Sequence, residues 1–529
     1  MEDKKYKNLI FAGLMAAVAA LFAVTRLYRL DIVPFGPYRM HIDELGAAYD
    51  AFCISDYGVD QFLYRMPVYF KCFGEGQNAL YTYLAVIAFR LGGISIFSFR
   101  LPAVICAAGA FAALFFMVRD LLDRWYAIVA LILMTVMPVF MMSEHWGLEA
   151  YLMMSFVIIS MAFQIRAVIT NRPVYYALAG TFWGLTLYTY AMSYIIVPLF
   201  LLASFIILLI YKKLSLKNIL MVGIPLIILG FPLLLQQFVM MGVLKPFSLF
   251  GVIDFWNTSH YRADEISPVF VPENLIMSFK YTYVADRSAY DANATYGTMY
   301  YISIPFILTG MIASAYAVIK DVRAGVLNLW LFNWMFFLVA RIFLLFVKYP
   351  NINRINGIFP AYLLFAVYGI MTVAGKIRKK AVFFAVLCLA YMICFLSFSK
   401  YFYSHDGLQN DAYDIGDSLG CDLEAGAAAQ LAKKIAMGKP VCAMLNDGWR
   451  RDLSIALYTE TSPYDFNRDH EPHDTVYNGL VWEMPEELDL TGGTVYLIDN
   501  ELSHITSYLV TDEGFSVDIT YPDFTVVYK

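Results

Sequence analysis

The sequence is poor in charged residues. Asp, Glu, Lys and Arg make up only 15% of its 529 residues, whereas a soluble globular domain carries about 25%. Hydrophobic residues make up 60% of the chain. This balance excludes an ordinary soluble protein and predicts a polytopic α-helical membrane protein, one that crosses the bilayer several times.

The sequence also lacks the motifs of a cytoplasmic nucleotide-using enzyme. It contains neither G-x-x-x-x-G-K-[ST] nor a strand-placed G-x-G-x-x-G. Cysteine is scarce, with seven residues in the chain. Cys53 could form a disulfide with Cys72, and Cys421 with Cys442, if both pairs face an oxidising compartment. The sequence establishes neither bridge.

The distribution of charge divides the chain into two parts. Residues 400–529 contain 8 basic and 23 acidic residues, a net charge of −15, which leaves +10 for the rest. The first part alternates long apolar runs with short basic links, whereas the tail contains short β-rich stretches such as "GTVYLID" and "FTVVY". We predict a membrane module at 1–398 and a soluble α/β domain at 399–529. The acidic balance of that domain argues against nucleic acid as a partner.

The apolar runs predict about 11 transmembrane helices, each near the ~20 residues that a bilayer requires. Short loops rich in Lys and Arg stay in the cytoplasm, and all the basic links fall on one side of this topology. The N-terminus is then cytoplasmic, while a first outer loop (27–100), a second outer loop (240–299) and the tail are extracytoplasmic. The expected spans are residues 9–26, 101–118, 126–142, 147–165, 175–191, 194–211, 219–238, 300–319, 326–347, 357–374 and 381–398.

One apolar segment of the first outer loop is too short to be a span. Residues 79–89, "ALYTYLAVIAF", have the length of an interfacial helix. If they crossed the bilayer, every later basic link would move outside. The sequence therefore predicts a helix that lies on the outer membrane surface.

The stretch "YRMHIDELGAAYD", residues 38–50, follows directly after the first span. On a helix the adjacent Asp43 and Glu44 point to different faces, whereas Asp43 and Asp50 share one. This spacing does not favour two carboxylates facing each other across one bond, as in a glycoside hydrolase. A carboxylate that faces an acceptor hydroxyl, beside another that holds a metal or a positive group, is easier to build. Acidic residues that only solvate a loop end are the alternative.

Five stretches occur in a fixed order along the membrane module. They are the Asp-Glu pair of the first outer loop, "QNALYTYL", "FSFRLPAVICA", "SEHWGLEA" and "NINRINGIFPAYLLFAVYGI". The set, which covers about residues 8–398, resembles the GT-C superfamily of polyprenol-phosphate-sugar glycosyltransferases, in the branch with protein O-mannosyltransferases and lipid A aminoarabinose transferases. The resemblance implies a bilayer enzyme that moves a sugar from a polyprenyl-phosphate donor to an extracytoplasmic glycan, lipid or protein acceptor.

The resemblance also implies roles for individual residues. Asp43 matches the acidic residue proposed as the general base, and Glu44 completes the pair and could hold a divalent metal ion, Mg or Mn. Gln77 stands where relatives often have a lysine that binds the lipid phosphate. His145 falls where relatives often have an arginine, which it could replace only while protonated. Arg354 supplies a permanent positive charge for the donor phosphate.

Other polar residues have weaker signals. Arg341 lies near the outer end of its span, where it could approach the donor phosphate or extend to the membrane interface. Candidate acceptor contacts are His41, Asp50 and Glu149. Solvated loops are the preferred interpretation of two further groups, which are Asp254, His260, Arg262, Asp264 and Glu265 in the second outer loop, and "RDHEPHD" at 468–474.

Two other classes of protein stay open at this stage. A transporter would be expected to show inverted repeats and ionisable residues near the bilayer midplane, and the sequence shows no such repeat. In a membrane sensor or scaffold the tail would be the binding module, and Asp43 would be dispensable.

Overall fold

The structure of the chain is a computed structural model. It describes residues 2–34, 36, 38–72, 76–257, 269–274, 276, 280, 295–348, 352–404, 420–445, 451–468, 476–477, 480–481 and 487–529.

Within the described residues, eight helices are long and apolar enough to cross a membrane. The predicted class, an α-helical protein with many membrane spans, is therefore confirmed. The eight are α1 (Glu2–Leu27), α4 (Ile96–Leu121), α7 (Leu152–Thr170), α9 (Ser193–Ile210), α10 (Leu216–Met240), α11 (Ile304–Arg323), α14 (Phe359–Lys376) and α15 (Lys380–Tyr403). Single 3₁₀ turns at Glu149–Tyr151, Tyr301–Ser303 and Asn356–Ile358 precede α7, α11 and α14.

Three predicted spans are shorter helices, namely α5 (Arg124–Val136), α8 (Pro173–Thr186) and α12 (Trp330–Leu344). At 1.5 Å per residue, 14 residues rise about 21 Å, less than the ~30 Å hydrocarbon core. α5 ends because Pro138 forces the preceding Met137 into an extended conformation, with φ −71° and ψ 135°. A short helix α6 (Pro138–Ser143) continues the chain. The eight long helices and these three shorter ones lie at the eleven predicted positions, and how many of them cross the bilayer stays a prediction.

The spans approach one another closely where glycine allows it. α11 and α14 cross at Gly310 and Gly369, and a Cβ atom at Gly310 would lie 1.8 Å from the carbonyl oxygen of Phe365. Such close helix crossings at small residues are typical of membrane proteins.

The first outer loop is a compact layer of short elements. Strand β1 (Arg39–His41) leads into helix α2 (Ile42–Tyr57), and a hairpin of β2 (Tyr69–Phe70) and β3 (Gln77–Asn78) leads into helix α3 (Ala79–Gly92). α3 has 14 residues and packs against α2 and α4. It has the short length that the sequence predicts, while its placement on the membrane surface stays a prediction.

The tail contains a six-stranded sheet. Its strands are β7 (Val441–Met444), β8 (Val476–Tyr477), β9 (Leu480–Val481), β10 (Val495–Asp499), β11 (Ser516–Asp518) and β12 (Phe524–Tyr528). Their order across the sheet is β11-β12-β10-β7-β9-β8. Its helices are α16 (Glu424–Ala436), α17 (Arg451–Tyr458), α18 (Pro463–Arg468) and α19 (Ser503–Thr511), with a 3₁₀ turn at Asn500–Leu502.

Side-chain alternation along the strands places helices on both faces of this sheet. Val441 and Ala443 of β7 pack in the same cluster as the alanines of α16, whereas Cys442 and Met444 pack on the opposite face with Leu509 of α19. The β-rich stretches "GTVYLID" and "FTVVY" contain strands β10 and β12. The last span helix continues to Tyr403, past the expected boundary at residue 398.

The tail is hydrogen-bonded to the first outer loop. Strand β6 (Gly420–Asp422) pairs antiparallel with β1, and the backbone N–H of Leu423 donates to the carbonyl oxygen of Tyr38 at 2.7 Å. The hydroxyl of Tyr49 on α2 donates to the carbonyl oxygen of Thr461 at 3.0 Å. The tail therefore holds both ends of the segment that carries Asp43.

The second outer loop contributes a hairpin of β4 (Phe247–Leu249) and β5 (Ile253–Phe255). Asp254 in this hairpin accepts a hydrogen bond from the backbone N–H of Arg65 at 2.8 Å, which ties the two outer loops together. The other polar residues of this loop with a possible role lie outside the described residues; they are His260, Arg262, Asp264 and Glu265. Residues 469–474 of the tail also lie outside them.

The cysteine pairs are not bridged where both partners are described. Cys53 and Cys72 are buried and form no disulfide with each other, and Cys442 is buried on β7. The side chain of Cys421 is outside the description.

Candidate active site

Helix α2 begins with a reciprocal cap that fixes the directions of Asp43 and Glu44. The Nδ1 atom of His41 accepts from the backbone N–H of Asp43 at 3.1 Å, and the Glu44 carboxylate accepts from the backbone N–H of His41 at 3.0 Å. This capping box satisfies two N–H groups that a helix start leaves without partners. Both acidic residues lie in the first turn, where the helix dipole favours negative charge.

Glu44 points inward and is fully buried. Its two carboxylate oxygens accept from Nε and Nη2 of Arg100, at 2.8 and 2.7 Å, and the backbone N–H of Gly147 donates to it at 2.6 Å. A Cβ atom at Gly147 would lie 3.0 Å from this carboxylate and 2.3 Å from the ring of Phe99, so only glycine allows this approach. Burial alone would raise the pKa of Glu44, but Arg100 and the backbone N–H groups hold it below its usual value.

This geometry does not fit the prediction that Glu44 holds a metal ion. Its oxygens already meet two guanidinium donors and the N–H groups of His41 and Gly147, whereas a metal ligand needs its lone pairs free for the cation. Within the part of the chain that the structure describes, no group of three or more His, Cys, Asp or Glu side chains is placed to hold a metal. We therefore derive no catalytic step through a metal at Glu44.

Asp43 points the other way and remains accessible. Its side chain is 37% exposed, and one of its carboxylate oxygens lies 3.6 Å from Nδ1 of His41. The Sγ atom of Cys72 lies 3.8 Å from the other oxygen. By contrast, Glu44, Asp50, Glu144 and Glu149 are all buried. Asp43 thus presents an open carboxylate at the start of a rigid helix.

Gln77 lies beside Asp43. It is buried on β3, and its Nε2 donates to the carbonyl oxygen of Asp43 at 3.5 Å. Its Oε1 is buried without a hydrogen-bond partner among the described residues. A buried amide oxygen of this kind has unused capacity to accept a hydrogen bond.

His145 lies in surroundings that disfavour a positive charge on its ring. It is fully buried, its Nδ1 lies 2.7 Å from the carbonyl oxygen of Met141, and its ring packs edge-on against Phe402. Burial, with the nearby charges of Arg26 and Arg100, lowers the pKa of His145 to about 3. The hypothesis that a protonated His145 replaces an arginine therefore disagrees with the structure, because a neutral ring carries no charge for a phosphate.

Two buried arginines were missed by the sequence analysis. Arg100 pairs with Glu44, and Arg26 pairs with Glu144 through a contact of 2.6 Å between Nε and a carboxylate oxygen. Arg26 also donates to the carbonyl oxygen of Met134 at 2.9 Å. A signal existed, because an arginine in an apolar helix is costly unless it has a partner. The sequence does not say which acidic residue that partner is.

Arg341 and Arg354 lie in different surroundings. Arg341 is buried on α12, donates to the hydroxyl of Tyr362 and lies 5.3 Å from the centroid of that ring. It therefore points into the protein rather than to the membrane interface. Arg354 is half-buried on a single helical turn, α13 (Ile352–Ile355), and donates to the carbonyl oxygen of Lys348 at 2.8 Å.

The turn that carries Arg354 packs close to the Asp43 region. It contacts the 3₁₀ turn Glu149–Tyr151, and Asn356 donates to the carbonyl oxygen of Ala150 at 2.7 Å. Glu149 in turn accepts from the backbone N–H of Asn78, the neighbour of Gln77. Segments that are far apart in sequence are thus brought together around one end of the helix bundle.

The residues expected to contact an acceptor are enclosed. His41 packs against Trp146, with ring centroids 6.0 Å apart, and Glu149 is bonded to Asn78. Asp50 is 1% exposed and accepts from the backbone N–H of Gln61 at 2.9 Å. These contacts stabilise the outer loop, so the geometry favours a structural role for all three side chains.

Comparison with known proteins gives matches to the fold and to part of the sequence. The profile of the family described as "Dolichyl-phosphate-mannose-protein mannosyltransferase" matches residues 78–235. No curated protein sequence matches the chain. ArnT from Cupriavidus metallidurans, solved bound to undecaprenyl phosphate, has a similar structure, with 12% identity, a TM-score of 0.57 and coverage of 97% of this chain and 98% of that one.

A second similar structure is the oligosaccharyltransferase of Archaeoglobus fulgidus, tethered to an acceptor peptide with an NVT sequon through a disulfide bond. It has 11% identity and a TM-score of 0.50, and the alignment covers 99% of this chain and 74% of that one. At these identities the likeness concerns the fold. The fold predicted from the order of the sequence motifs is confirmed.

Proposed function

The chain has the GT-C fold of membrane glycosyltransferases, and on this basis we propose that it transfers a sugar from a polyprenyl-phosphate donor to an acceptor hydroxyl outside the cytoplasm. One observation carries the proposal. The two residues of the Asp-Glu pair at the start of α2 point in different directions, with Asp43 partly exposed and Glu44 buried against Arg100. A lone accessible carboxylate on a fixed helix start is what a general base requires.

In the proposed reaction the Asp43 carboxylate takes the proton of the acceptor hydroxyl. The acceptor oxygen then forms a bond to the anomeric carbon of the sugar, the bond from that carbon to the phosphate oxygen breaks, and polyprenyl phosphate leaves with the electron pair. A positioned general base contributes about 10²- to 10⁴-fold to such a step.

The surroundings of Asp43 position it for this role. The cap from His41 and the buried pair of Glu44 with Arg100 hold the first turn of α2, and the pairing of β1 with β6 holds the strand before it. A catalytic group held in place avoids part of the entropic cost of reaching the reactive geometry.

The leaving phosphate needs positive charge, and Arg354 is the proposed source. The turn that carries it packs against Glu149–Tyr151, close to β3 and Gln77. An arginine stays charged at every physiological pH and can bind two phosphate oxygens at once. Groups that are preorganised around developing charge usually make the largest electrostatic contribution to catalysis. Arg341, buried against Tyr362, is kept as a second candidate.

The nature of the donor is supported by the similar structure of ArnT, which was solved with undecaprenyl phosphate. The proposed acceptor is a glycan, lipid or protein of the cell envelope. Nucleotide sugars stay in the cytoplasm, so a sugar carried on a lipid suits a reaction outside it. The proposal places the N-terminus in the cytoplasm and the tail outside.

The test is transfer of a radiolabelled sugar from polyprenyl phosphate by the full-length protein in vesicles. Asp43→Asn keeps the size of the side chain but cannot take the proton, so we expect a loss of at least ~100-fold in kcat with unchanged donor binding. Asp56→Asn, an exposed position on the same helix, is the matched control and should transfer normally. Full transfer by Asp43→Asn would remove Asp43 as the base. If the wild type consumed no lipid-linked sugar, the hypothesis of a sensor or a transporter would replace that of an enzyme.

A further inference from the structure

A cavity of about 530 Å³ lies between α4, α7 and α8, away from the candidate active site. Most of its wall is apolar. The small residues Gly109, Ala112 and Ala113 from α4 and Ala162 from α7 line one part, and bulkier side chains, among them Phe116, Phe163 and Phe182, line the rest. We call this cavity the furrow. One end of the cavity is charged, where Arg119, Asp120 and Arg166 meet.

The charged end lies near the opposite end of α4 from the Asp43 region. Arg100, which holds the start of α2, and Arg119 are on the same helix α4. Their separation of 19 residues corresponds to a rise of about 28 Å, close to the ~30 Å thickness of the hydrocarbon core. In the proposed orientation, the charged end of the furrow therefore lies at the headgroup level of the cytoplasmic leaflet.

The charges at this end do not cancel. Arg119 and Arg166 each donate to Asp120 at 2.9 Å, so two guanidinium groups share one carboxylate and leave a net charge of +1. Asp120 is nearly buried, whereas the two arginine side chains are 36% and 35% exposed. The described hydrogen bonds of Arg119 use two of the five N–H donors of a guanidinium. The exposed parts of the two arginine side chains therefore present positive charge and hydrogen-bond donors at the open end of the furrow.

We propose that this furrow binds an anionic phospholipid of the cytoplasmic leaflet. The lipid phosphate is held by Arg119 and Arg166, and one acyl chain lies along Gly109, Ala112 and Ala162. Basic pockets between transmembrane helices on the cytoplasmic side suit anionic headgroups, because charge complementarity adds to the burial of the chain. A zwitterionic lipid carries an ammonium group that the net charge of +1 repels.

Native mass spectrometry of the full-length protein in detergent tests this, with phosphatidylglycerol and phosphatidylcholine of identical acyl chains as probes. The wild type should retain phosphatidylglycerol at least about fivefold better. Arg119→Gln should remove that preference, while Asp120 keeps Arg166 as a partner. Arg119→Lys should keep most of it. Arg323→Gln, an exposed basic residue at the end of α11, is the matched control and should bind like the wild type.

A second variant tests the furrow itself. Ala112 is exposed on α4, so Ala112→Phe fills the furrow without disturbing the core or the arginines, and it should lower retention of both lipids. Equal retention of the two lipids by the wild type would overturn the proposal. So would unchanged retention in Ala112→Phe, or loss of the preference in the presence of inorganic phosphate alone, which would indicate a free-anion site instead.

Discussion

The Glu44 carboxylate faces the Arg100 guanidinium in two parallel hydrogen bonds of 2.8 and 2.7 Å, and neither side chain is exposed. Removing one member of a buried ion pair leaves the other charge without compensation and costs about 3–5 kcal/mol. We expect Glu44→Gln to lower the free energy of unfolding of the purified protein by that amount, as measured by thermal unfolding. Asp43→Asn, one residue away but partly exposed, should change it by less than about 0.5 kcal/mol.

Divalent cations provide a direct check of the structural role of Glu44. If Glu44 only pairs with Arg100, excess Mg²⁺ or Mn²⁺ should restore neither the stability nor the transfer activity of Glu44→Gln. Restoration of activity by either ion would contradict the pairing as the reason for the loss, and would return Glu44 to the metal site that the sequence suggested.

The cap that His41 provides can be removed and rebuilt. His41→Ala deletes the acceptor for the backbone N–H of Asp43 and should cost about 0.5–2 kcal/mol. His41→Asn supplies a preferred N-cap side chain and should recover most of that. Hydrogen exchange of residues 42–46 reports the change directly. Identical exchange in wild type and His41→Ala would show that the cap does not hold the helix start.

Two buried carboxyl groups predict a pH dependence of the first outer loop. Burial raises the pKa of Asp60 to about 7, and burial with the neighbouring charge of Asp60 raises the pKa of Asp50 well above its usual value. Since both pKa values lie above the unfolded value of about 3.9, these carboxyl groups bind protons more tightly in the folded loop than in the unfolded chain. Its stability should therefore fall as pH rises from about 4 through about 7.

Thermal unfolding at pH 5.5 and pH 8 measures this dependence. Asp50→Asn keeps an acceptor oxygen for the backbone N–H of Gln61 but cannot ionise, so it should flatten the pH profile and raise stability at pH 8. A wild type that is equally stable at both values, or more stable at pH 8, would rule out this titration.

The topology can be mapped by labelling single cysteines with a membrane-impermeant reagent in intact cells. Positions 91 and 437 carry exposed side chains, Leu91 at 85% and Met437 at 91%, and both should label from outside. Leu122, at the end of α4, should label only after permeabilisation. The exposed Cys388 would be replaced by serine beforehand. Labelling of position 122 from outside would invert the proposed orientation.

The parts of the fold that depend on local sequence were predictable. Low charge and apolar runs indicated the membrane module, and alternation and turn residues indicated the helices and strands of the tail. The end of α5 has a local signal in Pro138, but the signal is ambiguous, because other prolines lie inside long helices, namely Pro102, Pro198, Pro225 and Pro232. Apolar length alone does not register such a break, since proline ends a helix without ending the hydrophobic stretch.

The contacts of the candidate site were much harder to predict. Glu44 and Arg100 are 56 residues apart, and Arg26 and Glu144 are 118 residues apart. No local periodicity selects these partners among the available charges. The neutral state of His145 likewise depends on how many groups pack around it, which only the tertiary structure determines. The separation of Asp43 from Glu44 was predictable because adjacent helix residues point to different faces.

The pairing of β1 with β6 has a consequence for biogenesis. Arg39 and Asp422 are partners although nearly 400 residues lie between them, so β1 emerges from the ribosome long before its partner exists. At 5–20 residues per second, that delay is roughly 20–80 s. The strand that leads into the proposed base therefore stays unpaired while the spans are synthesised, and the proposed site becomes complete only when β6 has paired with β1.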